Sequence, residues 1–111
     1  MNYTHKNLAE GRWRKMSLAE QMGNIGSEIE RTISWEKKGN KEYSMNAFYR
    51  ALELIDLTIS DKRWSGPKTK ELTRLRESVC DLFAGNNIYN TSYEYLQKYF
   101  YQFALMAKMK S

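Results

Sequence analysis

Leu18, Met22, Ile25, Ile29 and Ile33 recur at spacings of four, three, four and four, which places them on one face of an α-helix with polar residues between them. The stripe opens on Ser17-Leu18-Ala19-Glu20. There the Ser17 hydroxyl can accept from the Glu20 amide while the Glu20 carboxylate accepts from the Ser17 amide, a capping box. It closes on Lys37-Lys38-Gly39, cations for the helix C-terminus and a glycine for the left-handed residue beyond it. A second helix is predicted from about Lys41 to Ile59, where Tyr43, Ala47, Phe48, Ala51, Leu52, Leu54, Ile55, Thr58 and Ile59 cover a face broad enough to meet two neighbours. Pro67 suits the first turn of a third helix, because its missing N–H would be unpaired there in any residue. Leu72, Leu75, Val79, Leu82 and Phe83 form that helix's seam, up to Gly85-Asn86-Asn87. A second expected capping box, Thr91-Ser92-Tyr93-Glu94, starts a fourth helix carrying Tyr95, Leu96, Tyr99, Phe100, Phe103, Ala104, Met106 and Ala107. No segment alternates strictly between apolar and polar, so sheet has little support. Short connections favour antiparallel neighbours, and the expected fold is all-α: an up-down-up-down four-helix bundle over residues 17–111, preceded by a basic N-terminal arm of residues 1–16.

A chain of 111 residues holds one domain, which excludes separate catalytic and regulatory domains. With 41% hydrophobic and 14% aromatic residues it has the composition of a folding chain. The richest apolar segment, Leu96 to Met109, is broken by Gln97, Lys98, Gln102 and Lys108, so no membrane span is expected. Cys80 stands alone and can close no intramolecular disulfide. With no secretory signal pattern at the start, a cytoplasmic location is expected.

The net charge of +5 is unevenly spread. Residues 1–16 carry Lys6, Arg12, Arg14 and Lys15 against Glu10, with Tyr3 and Trp13 interleaved, either as a flexible arm or as a strap across the bundle. Residues 61–76 carry Lys62, Arg63, Lys68, Lys70, Arg74 and Arg76 against Asp61 and Glu71, with Trp64 among them. Cations in the first turn of a helix oppose its dipole at a cost of roughly 0.3–1 kcal/mol each, so Lys68 and Lys70 do not serve local helix stability. Two accounts are open. A loop needs solvated side chains, and Asp61, Glu71 and Glu77 offset part of the charge. Alternatively, these cations neutralise the phosphates of RNA or DNA while Trp64, Trp13 or Trp35 stacks on exposed bases. Under the second account the candidate binding residues are Arg12, Trp13, Arg14, Lys15, Lys62, Arg63, Trp64, Lys68, Lys70 and Arg74. Trp35 lies roughly 100° from the first helix's apolar seam, so it is either exposed or covers the end of the bundle or meets the arm.

Catalytic and metal chemistry find little purchase. His5 and Cys80 are the only His and Cys, and no Glu-x-x-His pair of the di-iron kind occurs. Cys80 has no partner base nearby in sequence and reads as a small apolar filler. Gly23-Asn24-Ile25-Gly26 falls inside a helical period, where Ala19, Gly23 and Gly26 let another helix approach closely. The carboxylate pairs are Glu28/Glu30, Glu53/Asp56 and Glu77/Asp81, of which Glu53 and Asp56, beside Tyr49 and Arg50 opposite the second helix's apolar face, read as solvated surface. The expectation is a non-enzymatic nucleic-acid-binding bundle with no metal or cofactor. The alternative is a protein-interaction or homo-oligomeric module, because Tyr101 and Leu105 extend the apolar surface of the fourth helix beyond what one core requires.

Ser17-Leu18-Ala19-Glu20-Gln21, Asn24-Ile25-Gly26-Ser27-Glu28, Arg50-Ala51-Leu52-Glu53-Leu54-Ile55-Asp56-Leu57-Thr58 and Gln97-Lys98-Tyr99-Phe100-Tyr101 resemble a family of small, uncharacterised bacterial helical proteins. The resemblance covers most of the chain and implies an all-helical fold; it carries no function. In size, charge and bundle architecture the chain is also similar to the basic four-helix-bundle group that includes ribosomal intervening-sequence proteins and accessory proteins of diversity-generating retroelements. That likeness implies nucleic-acid binding by oligomeric rings, and it rests on architecture without a shared residue motif. Lys37 to Asp56 looks like one tetratricopeptide hairpin, a family that needs at least three stacked units.

Overall fold

Ser17 caps the first helix as its spacing requires: its hydroxyl accepts from the Glu20 amide at 3.1 Å and the Glu20 carboxylate accepts from the Ser17 amide at 2.9 Å. These bonds hold the Glu20 carboxyl below its ordinary pKa. The computed structural model describes residues 11–109, whose regular structure is helical throughout, with no strand among the described residues. Residues 11–13 are helical and are followed by α1 (Leu18–Lys37), α2 (Lys41–Ile59), α3 (Pro67–Ala84) and α4 (Tyr93–Met109). Gly39, at φ +76°, makes the left-handed turn between α1 and α2 that costs a side-chain-bearing residue more.

The fourth helix starts one residue later than its expected capping box. The Ser92 hydroxyl, not that of Thr91, accepts from the amide three residues on, Tyr95, at 3.0 Å. Thr91 belongs to the preceding loop, because its N–H donates to Asn87 Oδ1 (2.9 Å) and its carbonyl accepts from Asn87 Nδ2 (3.1 Å). With Ser92 as cap, the third helical position falls on Tyr95, which has no carboxylate to return, so the reciprocal bond of a capping box is missing.

Met22, Ile25, Ile29 and Ile33 of α1, Phe48, Ala51 and Ile55 of α2, Leu72 and Val79 of α3, and Leu96, Phe100 and Phe103 of α4 share one core. α1 packs along both α2 and α4, and α2 packs along α3. Gly26 permits the close approach of α4, since a Cβ there would lie 2.8 Å from Phe100 Cβ; Gly23 meets nothing within 4 Å and plays no such part. Asp56, expected to be solvated surface, ties two helices together instead, as do Glu28 and Glu30. Glu28 accepts from Arg50 at 3.2 Å, Asp56 from Arg76 at 2.7 Å and Glu30 from Gln97 at 2.9 Å. The Ser44 hydroxyl lies between the Glu36 carboxylate (2.8 Å) and the Thr32 carbonyl (3.2 Å).

α3 and α4 do not close along their length. The consequence is visible on α4, where Leu96, Phe100 and Phe103 are buried while Tyr95 and Met106 of the expected apolar face are exposed and Tyr99 is half-buried. That flank borders a groove rather than a neighbour.

Residues 11–16 lie against α1, α2 and the loop after α2. Trp13 is buried, its indole N–H donates to the Thr58 hydroxyl at 2.9 Å, and its carbonyl accepts from Gln21 Nε2 at 2.8 Å. The Met16 carbonyl accepts from the Arg63 guanidinium at 2.8 Å. Of the two possibilities for this stretch, residues 11–16 therefore take the strap, while Tyr3, His5, Lys6 and Glu10 lie outside the described residues.

Candidate functional site

The two basic concentrations meet at a polar knot that serves the fold. Asp61 is only 4% exposed and ends a turn after α2. Its carboxylate accepts from the Arg63 backbone N–H and Nε (3.1 Å each), from Arg63 Nη2 (2.8 Å) and from Gln21 Nε2 (3.1 Å). Chiefly through the Arg63 bonds, its pKa is held down at about 2, and Arg63 is raised in turn. Gln21 completes the circuit: its side-chain carbonyl accepts from the Trp64 indole N–H at 2.7 Å. The Arg63 guanidinium lies 4.6 Å over the Trp64 ring. Trp13, Arg63 and Trp64, candidates for binding in the sequence, are thus engaged in joining the strap, α1 and the α2–α3 loop. Trp35 meets Tyr43 edge to face at 4.8 Å with Lys38 above its ring at 4.9 Å, so it covers the end of the α1–α2 hairpin.

The other cations divide by partner and place. Lys68 shares Glu71 at 3.5 Å. Arg12, Arg14 and Lys15 are exposed on the strap, and Lys62 is exposed on the loop. Lys70 and Arg74 are exposed one helical turn apart on α3, and neither pairs with a carboxylate among the described residues.

Lys70 and Arg74 stand on one lip of the groove between α3 and α4. Its first basin, about 470 Å³, is floored by Leu75 and Leu96 and walled on the far side by Tyr95 and Tyr99. Arg74, Ser78 and Tyr95 also line a second basin of about 790 Å³ that continues to Tyr89, Asn90 and Thr91, so the two form one channel. Tyr99 is a fixed wall, because its hydroxyl donates to Glu71; burial first, and that carboxylate second, hold its phenol well above the usual pKa. Tyr95 is 61% exposed and makes no ring contact with another aromatic among the described residues.

Tyr89 is set at the channel's end by a loop with many internal bonds. The Asp81 carboxylate accepts from the amides of Ile88 and Tyr89 at 2.9 Å each, and the Asp81 carbonyl accepts from the amides of Gly85 (3.2 Å) and Asn87 (3.0 Å). Asn87 and Asn90 take positive φ, 51° and 56°, the left-handed region that asparagine tolerates better than most residues. The Tyr89 hydroxyl donates to Glu77 at 3.3 Å.

No family model, curated protein or solved structure matches this chain. The groove is read from its own chemistry. Two unpaired cations, the carboxylates of Glu71 and Glu77, the exposed rings of Tyr95 and Tyr89 and the apolar Leu75 and Leu96 line it. Among the described residues no three His, Cys, Asp or Glu side chains converge as a metal site would require, and no helix is long and apolar enough to cross a membrane. Burial pushes the Cys80 thiol pKa up, away from the reactive thiolate. Sequence reasoning found Lys70 and Arg74 but assigned Tyr95 and Tyr99 to the core and gave Tyr89 no role. The available signal was their spacing: Tyr95 and Tyr99 stand one turn apart on the flank of α4, as Lys70 and Arg74 do on α3.

Proposed function

We propose that this chain is a non-enzymatic RNA- or DNA-binding protein, built as an up-down-up-down four-helix bundle, whose ligand lies in the α3–α4 groove. The antiparallel order is supported by paired contacts that rise along one helix as they fall along the other. Such pairs are Glu28–Arg50 with Thr32–Ser44, Phe48–Phe83 with Asp56–Arg76, and Gly26–Phe100 with Glu30–Gln97. The observation that carries the binding reading is the pair Lys70 and Arg74, solvent-exposed and without carboxylate partners, across the groove from Tyr95. Arg12, Arg14, Lys15 and Lys62 add long-range attraction for phosphates, whereas Trp13, Arg63 and Trp64 act through the fold. A lone thiol suits a reducing compartment, and the cytoplasm is the proposed location.

The test is purification at low salt without nuclease, with absorbance at 260 and 280 nm read beside light-scattering mass. Co-purifying nucleic acid that leaves as salt rises is the expected result. A protein that emerges free of nucleic acid and binds neither RNA nor DNA homopolymers at low salt overturns the proposal. A second reading, assembly of copies through α4, is favoured by the exposed Tyr101, Leu105 and Met109 on its outer face. A monomeric mass at high micromolar concentration removes that reading.

A further inference from the structure

We infer that the ligand of the α3–α4 groove is single-stranded, with phosphates on Lys70 and Arg74 and bases against Tyr95 and Tyr89. The inference rests on the nucleic-acid reading above and narrows it. A double helix buries its base faces in its own stack, so exposed tyrosine rings would have nothing to stack upon, whereas an open strand offers a π-face at every base. Tyr95 and Tyr89 are exposed, and the Asp81 and Asn87 bonds fix the loop that holds Tyr89. Stacking there would order little that is not already ordered.

Shape points the same way. The cations occupy the lip of a cleft whose basins, about 470 and 790 Å³, fall in the range that holds small molecules, which leaves room for single bases but not for a paired stack. Glu77, the next residue along the Lys70–Arg74 face, lines the second basin and accepts from the Tyr89 hydroxyl at 3.3 Å, so the phosphates are assigned to Lys70 and Arg74 and a base to the stretch beside Glu77. From Pro67 to Ser78 the lip runs eleven residues, about 16 Å at ~1.5 Å per residue. A strand at the stacked rise of ~3.4 Å per nucleotide spans that distance with about five nucleotides, and an extended strand with fewer.

The experiment measures fluorescence anisotropy of the full chain with labelled oligothymidylate and oligouridylate of about ten nucleotides and with duplexes of the same phosphate count. Variants are Tyr95→Ala and Tyr95→Phe, whose exposed position leaves the core intact, with circular dichroism as the check on folding. The inference expects single strands to bind about tenfold or more tighter than duplex, with affinity levelling off beyond about five nucleotides. Tyr95→Ala should weaken single-strand binding by about 5- to 150-fold while Tyr95→Phe restores it. Equal or tighter duplex binding, or a Tyr95→Ala variant that binds single strands like the parent, overturns the inference and leaves the wider nucleic-acid reading standing. Absence of binding to every probe overturns both.

Discussion

Replacing Asp61 by Asn tests whether the knot beneath the basic loop is held by charge. In the folded chain the Asp61 pKa falls from 3.8 to about 2. At ~1.4 kcal/mol per pH unit this corresponds to about 2 kcal/mol of stability. The sign follows from the direction. A carboxyl with a depressed folded pKa contributes in full above the unfolded value, near pH 4, and loses that contribution as pH falls through about 2. Asn adds a second cost, because four N–H donors converge on this side chain and its NH₂ would face at least two of them. At pH 7 Asp61→Asn should therefore be less stable than the parent by about 2–4 kcal/mol, a fall of about 1–2 M in the urea midpoint. The assay is urea unfolding followed by circular dichroism and tryptophan fluorescence from pH 7 down to about pH 2. As the parent's own Asp61 becomes protonated, it too presents a donor to donors, so the gap should shrink by about 2 kcal/mol, to about 0–2 kcal/mol near pH 2. A gap that stays constant with pH refutes the charge argument and leaves only packing.

Three further outcomes follow from packing and capping. Gly23→Ala should raise stability by about 0.5–1 kcal/mol, since a Cβ there meets nothing and alanine favours helix, whereas Gly26→Ala should lower it by about 1–3 kcal/mol through the clash with Phe100; thermal melts of the two variants should move in opposite directions. Trp13→Ala should destabilise by about 3–5 kcal/mol in denaturant unfolding, because it empties a buried indole site and leaves the Thr58 hydroxyl without that donor. Ser92→Ala should cost about 0.5–2 kcal/mol and Thr91→Ala much less, as Thr91 bonds to Asn87 through its backbone; a larger loss from Thr91→Ala than from Ser92→Ala would return the cap to Thr91.

Where local chemistry decides structure, the sequence was sufficient. Apolar spacing and Pro67 place α2 and α3, and Ser17 with Glu20 places the start of α1. The α4 cap was misplaced because Ser92 and Thr91 are both competent caps, and the choice is made by Asn87, whose left-handed backbone and side chain claim Thr91 for the loop. Non-local pairing was harder to read. Trp13 and Trp64 sit among cations in sequence, yet their indole N–H groups find partners in Thr58 and Gln21, 45 and 43 residues away. Gln21, a polar residue just beside the α1 seam, was the local clue to a buried network. The groove was illegible for a related reason: an amphipathic α4 specifies an apolar face, but only the spacing of α3 from α4 decides how much of that face is covered. Lys70 and Arg74 were legible because charge on a helix surface needs no partner to be noticed.

The most direct test of binding in the groove is the slope of log affinity against log salt for a short single strand, measured with the parent and with the Lys70→Gln/Arg74→Gln double variant. Two phosphate contacts contribute about −1.4 to that slope, at about −0.7 for each contact on a single strand, so the double variant should be flatter by that amount and bind more weakly at low salt. An unchanged slope and affinity in the double variant would contradict the account.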